Sequence, residues 1–368
     1  IPVMDEVYGN AASRQHEFGW RAEAVVEQAR SRVAALVGAL PEEIIFTSGA
    51  TESVNIALQG VARASAGAGK RIVTARTEHR AVLDACARLE TEGFEIVRLP
   101  VDRYGLVDPD DVRRALAPGT ILVSIMAANN EIGTLAPLGA IGALCRGAGV
   151  LFHTDATQAA GNVPIDMHAM QIDLLSLSAH KMYGPKGVGA LAVRARRPAI
   201  RIVPLFEGGG HERGIRPGTL NVPGIAGFGA AAGISAAMMG EESARLSALR
   251  DRLVSGLEGK IGGLRLNGHP ELRLAHNANL LFPGVNADRL MMAMKDIAVS
   301  TGSACSTSSP EPSHVLAAIG LSRQESLSSL RFGLGRFTTE EEIEYAVGRV
   351  SEAVRTITRG APQAEPVH

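Results

Sequence analysis

Lys181 stands in SAHKMYGPKG (178–187), directly after an apolar run and just before a Gly/Pro-rich turn. A lysine amine at a strand end facing a cleft can form a Schiff base with an aldehyde. Three other stretches carry groups that belong with such chemistry. FTSGATES (46–53) passes from an apolar run through a glycine turn into a helix start. Free backbone N–H groups and hydroxyls converge there, which suits a phosphate. FHTDATQ (152–158) ends another apolar run in Asp155, with Gln158 three residues on. A carboxylate at that position can pair with a protonated ring nitrogen. TEHRAVLD (77–84) puts His79 after RIVTA, where an imidazole can lie over a flat ring. Singly, each stretch also reads as something ordinary: a solvated lysine or a capped helix. Together, a lysine, a carboxylate, an imidazole and a phosphate cradle are the parts that hold pyridoxal 5′-phosphate.

Cys305 poses a separate question. In STGSACSTSSPEP (300–312) its neighbours are Ser, Thr, Gly and Ala, with Pro310 and Pro312 closing the stretch. That is the composition of an exposed segment, not of a core. Cys86 in AVLDACARL and Cys145 in IGALCRGAG lie in helix-like stretches and read as packing residues. Three cysteines, none at metal-finger spacing, argue against a disulfide framework and favour a reducing, cytoplasmic compartment.

The elements that must position these groups alternate. EIIFT (43–47), RIVTA (71–75), FEIVRL (94–99), TILVSIMAA (120–128), VLFHTD (150–155) and IDLLSLS (172–178) read as strands. Helix-like segments fall between them at 51–65, 80–92, 108–117 and 138–147. Such alternation predicts a mostly parallel sheet covered by helices on both faces. The chemical groups then collect at the carboxyl ends of the strands, where open α/β sheets bind ligands. A long Ala-rich helix is expected over 222–259. After it, ANLLFPG and SLRFGLG read as strands, with helices near 287–295, 312–319 and 339–357. This predicts a large domain over 1–237 and a smaller α+β domain over 238–368 that carries the cysteine stretch at 300–312. The tail RGAPQAEPVH is expected to be disordered.

The chain of 368 residues is 46% apolar and 20% charged, with a formal net charge of −1. That balance gives no general attraction to nucleic acid or an anionic membrane. No uninterrupted apolar run reaches about 18 residues, so no membrane span is expected. The opening IPVMDEVYGNAAS carries Asp5 and Glu6 and does not read as a signal peptide.

Seven motifs in order carry a family resemblance: FTSGATES, TEHRAVLD, ANNEIGT, FHTDATQ, SAHKMYGPKG, GGGHERGIRPGTLN and STGSACSTSSPEPSHVL. The chain resembles the NifS/IscS-type cysteine desulfurases of the class V aminotransferase group, from YGNAASRQHEFG (8–19) to LRFGLGRFTTEEEI (330–343). The resemblance implies a fold-type I enzyme with a seven-stranded, mostly parallel sheet. It implies that Lys181 carries the Schiff base, Asp155 pairs with the pyridine nitrogen, Gln158 contacts the phenolic oxygen and His79 stacks on the ring. Thr51, Ser178 and His180 would hold the phosphate with the backbone at Ala50, and Thr219 would reach the phosphate of the other subunit of a homodimer. Asn130 and Arg331 would bind the carboxylate of the L-cysteine substrate. Cys305 would accept the sulfur as a persulfide, leaving alanine, and pass it to an acceptor protein such as an iron–sulfur scaffold or another sulfur-cofactor pathway.

Family members usually begin with a segment resembling YLDNAATT, and this sequence starts after it; if the loss is real, weakened substrate binding and stability are expected while cofactor anchoring survives. RTITRGAPQAEPVH does not match the longer scaffold-docking extension of housekeeping members. The alternatives are a selenocysteine lyase, another class V enzyme, or an inactive scaffold of the same fold.

Overall fold

The computed structural model describes residues 2–301 and 312–359. Cys305 and the expected disordered tail beyond Arg359 lie outside the described residues; Arg359 itself ends the helix Glu340–Arg359. The chain forms two compact units. The first comprises the chain up to Pro100, Val107–Asn129 and Ala136–Met239; the second comprises Val101–Leu106, Asn130–Leu135 and the chain from Gly240 onward.

The first unit is built on seven strands: β1 (Ile44–Thr47), β2 (Arg71–Ala75), β3 (Glu95–Leu99), β4 (Thr120–Ser124), β5 (Leu151–Asp155), β6 (Leu174–Ser178) and β7 (Gly189–Val193). Their order across the sheet is β1-β7-β6-β5-β4-β2-β3. All neighbouring pairs are parallel except those made by β7, which runs antiparallel to both β1 and β6. β1 therefore runs in the same direction as β6 and the rest. The near-continuous apolar runs have their reason here: β1 and β6 are buried at every position, and β2, β4 and β5 at four of five.

Six of the seven strands are legible as apolar runs; β7 is not, because GALAV is short and made mostly of small residues. Its first residue explains the composition. A Cβ on Gly189 would stand 2.5 Å from the Leu177 carbonyl oxygen and 2.6 Å from the Gly49 Cα, so β7 can sit there only without a side chain.

Helices cover the sheet. Glu17–Leu36, which the apolar pattern does not mark, buries Ala22, Val26, Ala29 and Val33, a helical spacing diluted by small residues. Arg80–Thr91 buries Val82, Ala85, Cys86 and Leu89, and Leu138–Ala148 buries Leu138, Ile141 and Cys145. Val222–Glu258 is the longest helix described, and the boundary between units falls within it. By length and composition alone it is apolar enough to cross a membrane. Val222, Ile225, Phe228 and Ala232 in it are buried, with Phe228 meeting Phe46 edge-on at 6.4 Å.

The second unit has a three-stranded antiparallel sheet, β10-β9-β8, from β8 (Arg265–Asn267), β9 (Asn277–Leu281) and β10 (Ser329–Gly333). Glu340–Arg359 lays Ile343, Val347, Val350 and Val354 into the core with Leu253, Leu257, Leu280, Phe282 and Phe332. Asn130–Leu135 is strapped to this unit by its backbone. Arg273 is the hub: its guanidinium donates to the carbonyls of Asn267, His269, Ile132 and Asn277, at 3.4, 3.1, 3.2 and 3.0 Å. Leu135 N also donates to the Leu272 carbonyl at 2.9 Å.

Candidate active site

Because six of the seven strands point the same way, the turns after β1, β2, β4, β5 and β6 gather at one edge of the sheet. Those turns hold Ser48–Thr51, Thr77–His79, Ile125–Asn129, Asp155–Gln158 and Ser178–Lys181. All of the residues assigned to the cofactor from sequence, apart from Thr219, therefore belong to this edge.

At the end of β1, Gly49 adopts φ 154°, ψ 178°, a conformation open essentially to glycine alone, and turns the chain into the helical run that begins at Ala50. Thr47 Oγ1 accepts from Gly49 N at 3.3 Å and bonds Ser53 Oγ at 2.8 Å. The amides of Ala50 and Thr51, in the first turn, have no acceptor within the helix and remain available to an anion. Glu52 braces the turn: Oε2 accepts from Ser48 N at 2.5 Å and Oε1 from Arg216 Nε at 2.9 Å. Burial pushes the Glu52 pKa up, but the Arg216 and Ser48 bonds outweigh it, so the carboxyl titrates below its ordinary range. Thr51 is exposed on this turn.

At the end of β6, Ser178 is buried and its Oγ bonds His180 Nδ1 at 2.7 Å. Burial, with the charges of Lys181 and Lys186, holds the His180 pKa below its ordinary value, so the imidazole is neutral at pH 7. Ala179–Met182 forms a single 3-10 turn closed by Tyr183 at φ 64°. That turn presents Lys181 at the surface of the edge.

Asp155 ends β5, 5% exposed, with Oδ1 accepting from Thr157 N at 2.9 Å. Gln158 is half-buried one turn further on. His79 caps the helix Arg80–Thr91, its Nδ1 accepting from Ala81 N at 3.1 Å. A neutral His79 therefore carries its proton on Nε2. The segment before it is stapled to the turn after β4: Met126 N donates to Glu78 Oε1 at 2.8 Å and Asn129 Nδ2 to the Thr77 carbonyl at 2.9 Å. Glu78 is wholly buried. Burial drives its pKa well above the usual carboxylate range; the Met126 bond opposes this and the charge of Asp155 adds to it. Beneath the edge, His153 bridges Ser124 Oγ at 2.8 Å and Ser176 Oγ at 2.9 Å across three strands.

Asn130 and Arg331 both belong to the second unit. Arg331 Nη1 donates to the Asn130 carbonyl at 2.8 Å. Arg331 also pairs through its backbone with Ser300, at 2.7 and 3.2 Å. Thr219, in the first unit, is exposed. Its glycine-rich segment is anchored by Glu212, which accepts from Arg30 Nη1 and Nη2 at 2.9 and 2.8 Å and from Phe46 N at 2.6 Å. Cys86 and Cys145 are buried, and burial first of all pushes both thiols up to about 12. Among the described residues no cluster of His, Cys, Asp and Glu could hold a metal ion.

Sequence reasoning passed over Glu52, Glu78, Glu131 and Glu212. Each is a lone carboxylate inside a motif otherwise poor in acids: ATES, TEH, NNEIG and HERG. That pattern was the available signal, since a charge kept inside a tight turn needs partners there.

A sequence model described as Aminotransferase class-V matches residues 2–346. A protein named cysteine desulfurase IscS from Anaeromyxobacter dehalogenans (strain 2CP-C) is 53% identical over 367 residues, covering 100% of this chain and 91% of that one. The chain belongs to the class-V aminotransferases, among their cysteine desulfurases. A family member named cysteine desulfurase, mitochondrial, from Arthroderma benhamiae is 50% identical, covering 100% of this chain and 73% of its own length. Among solved structures, one described as a NifS-like protein superposes with a TM-score of 0.89 at 35% identity, covering 96% of this chain and 94% of that one. DndA from Streptomyces lividans does so with a TM-score of 0.79 at 40% identity, over 90% and 93% of the two chains. Membership in this family implies pyridoxal phosphate in general terms, and the seven-stranded sheet is that of its fold.

Proposed function

We propose that this cysteine desulfurase holds pyridoxal 5′-phosphate at the carboxyl edge of its first unit and passes sulfur from L-cysteine to Cys305. One observation carries the reading. Turns from separate parallel strands bring to one edge the Asp155 carboxylate, the Ser178–His180 pair and Lys181, beside the first-turn amides at Ala50 and Thr51.

These residues fit the cofactor. Asp155 is a buried carboxylate already oriented by Thr157 N, the partner a protonated pyridine nitrogen needs. The absence of side chains at Gly49 and Gly189 keeps backbone at the phosphate turn, and a neutral His180 can donate from Nε2. Thr51, Ser178 and His180 would hold the phosphate, Gln158 the phenolic oxygen, and His79 would lie against the ring. Bound pyridoxal phosphate supplies an electron sink for charge from a broken Cα–H bond.

The chain's own groups do the rest. Lys181 takes the α-proton once the substrate amine has displaced it. Arg331, with Asn130, binds the substrate carboxylate through a two-pronged guanidinium. The Cys305 thiolate attacks the substrate sulfur; an S–S bond forms as the Cβ–S bond breaks, its electron pair staying on the substrate carbon. That carbon takes up a proton and Lys181 returns one to Cα, which leaves alanine and a Cys305 persulfide. An acceptor protein, such as an iron–sulfur scaffold, then collects the sulfur.

The exposure of Thr219 on a segment braced by Glu212 supports a homodimer in which it reaches the other subunit's phosphate. The free thiols of Cys86 and Cys145 support a cytoplasmic, reducing setting.

The decisive experiment treats the cofactor-loaded chain with L-cysteine and weighs the peptide containing Cys305. One added sulfur is expected, with alanine released. Catalysed sulfide release from a chain whose Cys305 stays unmodified would overturn the persulfide route.

A further inference from the structure

Beside Asn130 the strap Asn130–Leu135 carries a carboxylate that the proposed reaction does not use. Glu131 is 5% exposed. Its Oε2 accepts from Ser313 Oγ at 2.5 Å. Its carbonyl accepts from Asn277 Nδ2 at 3.4 Å and Asn279 Nδ2 at 3.2 Å.

Ser313 serves two partners. Its hydroxyl hydrogen goes to Glu131, while its oxygen caps the helix His314–Ala318, accepting from Val315 N at 3.1 Å and Leu316 N at 3.2 Å. From the other side, Arg331 Nη1 holds the Asn130 carbonyl at 2.8 Å. Asn130 and Arg331 are therefore not independent side chains, since the main chain of one fixes the guanidinium of the other. A carboxylate buried this deeply costs free energy unless it is bonded. Here the bonds run to the start of a helix and through the strap to Arg331.

We propose that Glu131 is a positioning residue for the substrate carboxylate. By gripping Ser313 it locks the strap on which Asn130 stands, and with it the direction of Arg331. The inference rests on the assignment of Asn130 and Arg331 to that carboxylate.

Three variants of the cofactor-loaded full chain test it. Ser313→Ala removes the hydroxyl. Ser313→Asp keeps a helix cap but sets a second carboxylate against Glu131. Ser313→Asp combined with Glu131→Gln restores a donor–acceptor pair. The readouts are KM and kcat for L-cysteine, and Kd for L-alanine by calorimetry.

Both single variants should raise KM and the L-alanine Kd about tenfold, the worth of one charge-assisted bond. Their kcat and visible absorbance should stay close to those of the parent, and the double variant should recover most of the affinity. A Ser313→Asp chain that behaves like the parent would overturn the proposal, because capping alone would then explain Ser313. So would a double variant no better than Ser313→Asp, or single variants that lower kcat at unchanged KM. If the parent binds L-alanine but makes none from L-cysteine, the desulfurase reading fails while the L-alanine arm still decides the role of Glu131. An Arg331→Ala chain with unchanged L-alanine Kd removes the premise, and the proposal falls with it.

Discussion

The edge of the first unit and the strap of the second solve the same problem by different means. At the edge, each functional group sits at the last residue of a parallel strand or up to four residues beyond it, so the backbone ladder of the sheet sets its place. On the strap no strand does this. Asn130–Leu135 is joined backbone to backbone to the segment 272–274, through Leu135 N to the Leu272 carbonyl and Leu274 N to the Gly133 carbonyl, and side-chain donors do the rest: Arg273, Arg331, Asn277 and Asn279 reach the carbonyls of Asn130, Glu131 and Ile132. A site built on a ladder tolerates the loss of one side chain, because the ladder remains. A site held by side-chain donors loses its shape with one of them.

The sharpest way to break this comparison is at the edge itself. Lys181→Ala should abolish the visible absorbance of the bound cofactor and lower alanine production by about a thousandfold or more, the range seen when an essential nucleophile is removed. With both chains free of cofactor, its thermal unfolding should stay within about 2 °C of the parent, as for a surface substitution. A large fall in melting temperature would mean that the edge depends on its side chains after all.

The strap should behave in the opposite way. Arg273 is 5% exposed, and burial together with Arg250 pulls its pKa down to about 10, still charged at pH 7. Arg273→Met should cost about 3 kcal/mol, because four carbonyls lose their donor at once. Denaturant unfolding measures the cost, and a loss below about 1 kcal/mol would show that the strap is held by something else.

Acid should find the buried polar centre of the sheet. Burial holds His153 at about 3, against an ordinary value near 6.5. The unfolded chain therefore binds a proton that the folded chain refuses, and stability from His153 is lost as pH falls from about 6.5 toward 3. Glu78 works with the opposite sign. Its folded pKa is raised, so stability from its protonated form is present below about 4.5 and lost as pH rises through the folded value. Relative to the parent, Glu78→Gln should gain melting temperature steadily as pH is raised above about 4.5. A flat difference between the two chains would mean that Glu78 is ionised in the fold.

The smallest effect concerns the buried thiols. At pH 8 a thiol reagent should label Cys86 and Cys145 far more slowly than the denatured chain, since both thiols titrate at about 12. Rapid labelling of either in the native protein would contradict their burial.

The edge was legible in the sequence because one rule links pattern to place. Apolar runs buried on both faces are parallel strands, and the residues just beyond each run stand at the carboxyl edge. That rule reached Lys181, Asp155, Gln158, His79 and the turn at Ser48–Thr51 without any contact being known. It passed over β7, whose small residues answer to Gly49 across the sheet and not to a hydrophobic pattern. It passed over the helix Glu17–Leu36, where alanines dilute the apolar stripe. The carboxylates at Glu52, Glu78, Glu131 and Glu212 were visible as residues but silent about role, because a role depends on partners up to 182 residues away.

The sequence by itself determined the kind of protein this is: the alternation of strands and helices, the order of seven motifs, and the lysine, carboxylate and imidazole chemistry at strand ends. Periodicity and turn chemistry are local, so they survive in one dimension. Only the tertiary structure decided that Asn130 shares a unit with Arg331, that Glu131 grips Ser313, and that a fully buried Glu78 presses its charge balance against Asp155. Those facts depend on burial and on donors meeting acceptors across long stretches of chain, and neither exists until the chain has folded.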